Sequence, residues 1–83
     1  MERVELVLIN SWTEETRVVS THDSWKEGRR AAKQFAASEN AKNAGTVRWT
    51  RVFHTLWVNE RADADARAGI RGYDQLGVRP VSA

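Results

Sequence analysis

His22-Asp23-Ser24 places the residue types of a hydrolytic relay at three consecutive positions. A Ser–His–Asp triad works only as a hydrogen-bonded chain assembled in space, and adjacent side chains diverge instead of converging. Asp23 and Ser24 have a simpler use at the start of a helix. Ser24-Trp25-Lys26-Glu27 has capping-box spacing, so the Ser24 hydroxyl can accept from the Glu27 N–H, and Asp23 adds negative charge where the helix dipole favours it. His54 lies among arginines, with no other ligand type nearby to complete a metal site. Asp63-Ala64-Asp65 begins like a calcium loop, but Arg67 stands where an oxygen ligand is needed and Ala68 where the turn requires glycine. Gly69-Ile70-Arg71-Gly72-Tyr73 lacks the lysine and the flanking strand and helix of a phosphate-binding loop. No residue set therefore points to catalysis, a metal or a cofactor, and the chain is expected to be non-enzymatic.

What remains is aromatic and basic. Thr46–Asn59 holds two of the four tryptophans, with Trp49, Phe53 and Trp57 recurring every four residues and Arg48, Arg51 and His54 between them. The spacing fits a helical stripe through Trp49, Val52, Phe53, Leu56 and Trp57. The Val, Thr, Trp and Phe content favours a strand instead. One long central strand would put Val47, Trp49, Phe53 and Trp57 on one face and Val52, Leu56 and Val58 on the other. These rings are either the inner wall of a small core or a recognition surface. In so short a chain the core needs them, which leaves the arginines as a solvated rim.

The elements that must position these residues follow from patterning. Val4–Ile9 begins as an alternation and turns fully apolar, as in a strand covered on both faces. Thr16–Thr21 is a second β-branched run, and the polar Ser11–Glu15 between them, interrupted only by Trp12, suits a hairpin loop. After Ser24 comes an Ala-, Lys-, Arg- and Glu-rich helix that puts Trp25, Gly28, Ala32, Phe35 and Ala36 on one stripe. Asn40, Asn43 and Gly45 offer stop signals. Glu60–Gly69 alternates alanine with charge, as a short helix or an ordered loop. Beyond Ile70, Gly72, Gly77 and Pro80 interrupt regular patterning, and a docked extended tail is expected, with a short edge strand near Val78–Val81. The order strand–strand–helix–strand–tail predicts a single α+β domain over residues 1–83: a small antiparallel sheet with one helix on a face.

The 83 residues are 41% hydrophobic and 29% charged, an ordinary globular composition, and contain no cysteine, which excludes disulfides and thiol chemistry. No apolar run approaches the length of a membrane span and the N-terminus lacks signal-peptide layout, so a cytoplasmic protein is expected. The net charge of +2 is unevenly spread. Residues 1–24 sum to −3, residues 25–58 to +5, and residues 59–83 to zero.

Three functional expectations follow. The first is a small non-catalytic module that covers a site on a larger protein partner, using Trp12 and the helical cluster Arg29, Arg30 and Lys33 as interface anchors. Its size and cysteine-free economy are those of phage-encoded inhibitors of host or defence proteins. The alternative is nucleic-acid binding, with Arg48 and Arg51 pairing phosphates and Trp49 and Trp57 stacking on bases. The third is a homodimer formed by pairing of an exposed edge strand.

Overall fold

The computed structural model describes residues 3–11, 13–42, 47–60 and 73–81. Its elements are β1 (Val4–Ile9), β2 (Thr16–His22), α1 (Trp25–Lys42), β3 (Trp49–Phe53), β4 (Leu56–Asn59) and β5 (Gln75–Pro80). The strands form one antiparallel sheet in the order β2-β1-β5-β4-β3, with α1 packed on one face. The expected α+β architecture is present. Among the described residues, no helix is long and apolar enough to cross a membrane.

Register explains which side chains meet the helix. Val4, Leu6 and Leu8 of β1 join Leu76 and Val78 of β5, Trp57 of β4 and Trp49 of β3 in a core closed by Ala32 and Ala36 of α1. Leu6, Leu76, Val4 and Val7 are the largest fully buried side chains. Each contributes about 1.5–3 kcal/mol by leaving water. The opposite face carries Glu5, Val7 and Ile9 of β1 beside Arg79, Gly77 and Gln75 of β5. Glu5 is nearly buried there and accepts from the Arg79 Nε–H at 2.8 Å, directly across the strand pair. Gly77 sits between Val7 of β1 and Leu56 of β4, and Val7 is only 1% exposed.

Helix α1 starts as expected: the Glu27 N–H donates to Ser24 Oγ at 3.2 Å, and the Gly28 N–H to the Ser24 carbonyl at 3.0 Å. Asp23 is paired with Arg3 at 3.6 Å. These contacts assign Ser24 to the cap, as the sequence indicated, with Asp23 immediately before it. Gly28, Ala32 and Ala36 form the buried stripe, with Trp25 and Phe35 packed at its flanks.

Two details differ from expectation. Where the sequence of Thr46–Asn59 favours one long strand, residues 49–59 form a hairpin that turns at His54-Thr55. Neither turn residue is Gly, Pro, Asn or Asp, so no turn signal was visible. An irregularity between Arg51 and Phe53 then moves Phe53 to the face opposite Trp49 and Trp57. The C-terminal segment is also more than a docked tail. β5 lies between β1 and β4 at the centre of the sheet, with Pro80 as its last residue. The stretch 61–72 and its sequence-based assignments, including Asp63-Ala64-Asp65, lie outside the described residues, as does Trp12.

Gly28 sets how closely the helix approaches the sheet. A Cβ there would lie 2.7 Å from Val4 Cγ2 and 2.9 Å from Val78 Cγ1, both on β-branched side chains with little freedom to move. Alanine normally stabilises a helix interior relative to glycine by about 1 kcal/mol. Here the sign is expected to reverse: Gly28→Ala should lower unfolding free energy by about 1–3 kcal/mol in urea titration, through overpacking. An unchanged or raised midpoint would show that the helix rides higher on the sheet.

Candidate functional site

The helix is anchored to the sheet at two separate places. Its first turns press on β1 and β5 through Gly28. Near its other end, the Asn40 side chain grips β3: the Trp49 N–H donates to Asn40 Oδ1 at 2.7 Å, and Asn40 Nδ2 donates to the Trp49 carbonyl at 3.1 Å. With β1 and β5 inside the sheet and β3 at its edge, the helix runs obliquely across the strands. Such a course leaves opposite corners of the face open on either side of the helix.

One corner, beside β2, is a small recess of about 290 Å³ lined by residues including Arg17, Val19, Phe35 and Glu39. The other, of about 850 Å³, lies between the first half of α1 and the β3–β4 hairpin. One wall is Lys26, Arg29, Arg30 and Lys33, which recur at three- and four-residue intervals and so share a helix face. The opposite wall is Arg51 and His54, and Trp57 is the floor. No carboxylate of the described residues lines this groove. The ion pairs among the described residues are Arg3–Asp23, Arg48–Glu60 and Arg79–Glu5, so all five groove cations are unpaired there.

The chemistry of this arrangement is anion capture. Like charges held together repel, and a bound anion relieves that repulsion while drawing partners by long-range attraction. Three of the cations are arginines, whose planar guanidinium can engage a carboxylate or phosphate through two parallel hydrogen bonds. At the hairpin beside the groove, Phe53 is 70% exposed and Val52 48%. Cationic wall and apolar prong are adjacent along the chain.

The structure sorts the residues singled out from sequence. Arg29, Arg30 and Lys33 share the groove with Arg51 and Trp57, so two patches considered separately are one surface. Arg48 is outside it and salt-bridged to Glu60 at 3.2 Å. Trp49 and Trp57 are 7% and 5% exposed, with both rings in the core. The Trp49 Nε1–H is buried without an acceptor among the described residues. Lys26, His54 and Phe53 were not among the nominated site residues. Lys26 carried a visible signal, since it shares the helical spacing of Arg29, Arg30 and Lys33.

Among the described residues, no group of three or more His, Asp or Glu side chains is placed to hold a metal ion. No protein-family model matches the chain, and neither a characterised protein nor a solved structure is significantly similar to it.

The Asn40 clamp makes a stability prediction. Asn40→Ala removes both partners of the Trp49 backbone and should cost about 1–3 kcal/mol in chemical denaturation, since the vacated groups belong to a buried residue. Asn40→Asp keeps the acceptor for the Trp49 N–H but loses the donor to its carbonyl. Its loss should be comparable to or larger than that of alanine, because a carboxylate is then placed against a carbonyl oxygen.

Proposed function

We propose that this chain is a small non-catalytic binding module that covers an acidic site on a larger protein partner through the groove between α1 and the β3–β4 hairpin. One observation carries the reading: among the described residues, five unpaired cations and no carboxylate line a concave surface, and an exposed phenylalanine projects from the other face of the hairpin that forms one wall. Arginine with an aromatic anchor is the composition of interface hot spots, where a few residues supply most of the binding energy. The inhibitor role expected from chain size is one form that such covering takes. The domain need only be rigid, and its two helix anchors provide that.

Nucleic-acid binding is the second reading, and the groove's charge favours it as much as it favours an acidic protein. Stacking, however, needs accessible ring faces, and the buried Trp49 and Trp57 offer almost none. Among the described Phe, Tyr and Trp residues, Phe53 is the exposed one. The protein reading leads on that ground.

The test compares the wild-type domain with Arg30→Glu/Lys33→Glu in the groove and with Arg17→Glu on the far side of the helix. All three positions are exposed, so each variant should stay within about 0.5 kcal/mol of wild-type stability. Affinity capture followed by cross-linking should identify an acidic protein attached at the groove wall. The double reversal should weaken that complex at least about tenfold, with the Arg17 control unchanged. Retention by the double variant would remove the groove from the interface. In parallel, titration with single- and double-stranded oligonucleotides should show no groove-dependent binding at moderate salt. Steeply salt-dependent affinity that the double reversal abolishes would replace the protein reading with the nucleic-acid one.

A further inference from the structure

We propose that the occupant of the groove is an extended segment of the partner with alternating acidic and apolar residues, docked by strand addition along the outer edge of β3. This rests on the reading of the groove as a protein-binding site and states how the partner is held there.

The argument starts from the sheet edge. Among the described residues β3 is the terminal strand and pairs only with β4, so its outer side presents backbone groups with no strand partner there. Asn40 already shows what that side accepts. Its carboxamide receives the Trp49 N–H and donates to the Trp49 carbonyl, the same two bonds that one residue of an added antiparallel strand would make. Along an antiparallel strand the outward-directed backbone groups recur at every second residue. With those of Trp49 held by Asn40, the next outward pair belongs to Arg51. Asn40 therefore stops the edge at one end and leaves it open toward the hairpin. That open stretch borders the cationic groove.

Side-chain alternation then specifies the ligand. Successive residues of an added strand project to opposite faces of the sheet. On the helix side they would meet Arg51 and the Arg30–Lys33 wall, where only anionic side chains complement the charge. On the other side they would lie beside Phe53, which shares that face with Leu56 and is largely exposed. Acidic residues at one phase and apolar residues at the other satisfy both faces. Main-chain bonds supply affinity in this mode and the alternate side chains supply specificity. A carboxylate-bearing strand suits the edge better than a polyphosphate chain, which has no amide N–H to donate to the carbonyls.

The experiment uses the whole domain and short fluorescent peptides followed by anisotropy. The first peptide alternates glutamate and valine, and a second has the same composition with all glutamates preceding all valines. Two more alternate as the first does, and carry N-methyl groups on the backbone nitrogens of every second residue, in one phase or the other. The alternating peptide should bind, and at least about tenfold more tightly than the block peptide. One methylated phase should abolish binding and the other leave it intact, because only one set of N–H groups faces β3. Arg51→Glu should weaken the alternating peptide at least about tenfold. Equal binding of both methylated peptides would overturn strand addition while leaving the groove as the site. Equal binding of the block peptide would overturn the alternating pattern. Binding indifferent to Arg51→Glu and to Arg30→Glu/Lys33→Glu would overturn the groove reading itself. Failure of every peptide to bind would overturn the proposed occupant, with the captured partner still available to judge the groove.

Discussion

The structure depends on the contact between Gly28 and the side chains of Val4 and Val78. With α1 on one face of a five-stranded sheet, the described residues share one principal core, and the depth at which the helix sits determines how completely that core is sealed. Glycine allows the helix backbone to rest directly on two β-branched side chains. Ala32 and Ala36 continue the same close approach along the buried stripe. A stripe of larger residues would lift the helix and admit water to Leu6 and Leu76, which are now almost completely excluded from it. The helix gives up some intrinsic propensity at Gly28, and tertiary packing offsets that loss.

The second anchor turns a packing arrangement into a shaped surface. Asn40 joins the helix to the edge strand by two hydrogen bonds to one residue, so the helix axis is defined at both ends. Because Gly28 rests on β1 and β5 and Asn40 reaches β3, the helix must cross the sheet obliquely, and the hairpin end of β3 and β4 is left uncovered. The groove is thus a geometric consequence of where two small contacts lie. Its charge is a matter of sequence, since Lys26, Arg29, Arg30 and Lys33 occupy the helix flank turned to that corner and Arg51 projects from the strand opposite. Core residues make the cavity and rim residues give it a sign.

The irregularity between Arg51 and Phe53 has a parallel effect on the other side of the sheet. Without it, strict alternation would put Phe53 on the core side with Trp49 and Arg51. The slip sends Phe53 to the open face, where it stands beside Leu56 and keeps most of its surface in contact with water. A bulge near the end of an edge strand commonly re-aims a side chain in this way. Here it sets a basic face and an apolar residue on opposite sides of one short edge.

Much of this architecture was legible in the chain. The capping signal at Ser24, the small-residue stripe of α1 and the apolar Val4–Ile9 run each depend on local spacing, which sequence displays directly. The tryptophans at positions 49 and 57 could be assigned to the core because so short a chain has few other large residues to fill one. Sequence did not show that residues 49–59 fold back on themselves at His54-Thr55, since that turn uses no residue with a marked turn preference. Nor did it show that the C-terminal segment enters the middle of the sheet: Gly77 and Pro80 read as breakers until long-range pairing with β1 and β4 places one between Val7 and Leu56 and the other at the strand's end. The union of Arg29, Arg30 and Lys33 with Arg51 in one groove was likewise decided only by tertiary structure. Residues about twenty positions apart come together through the crossing angle of a helix, and that angle is set by distant contacts that no local pattern encodes.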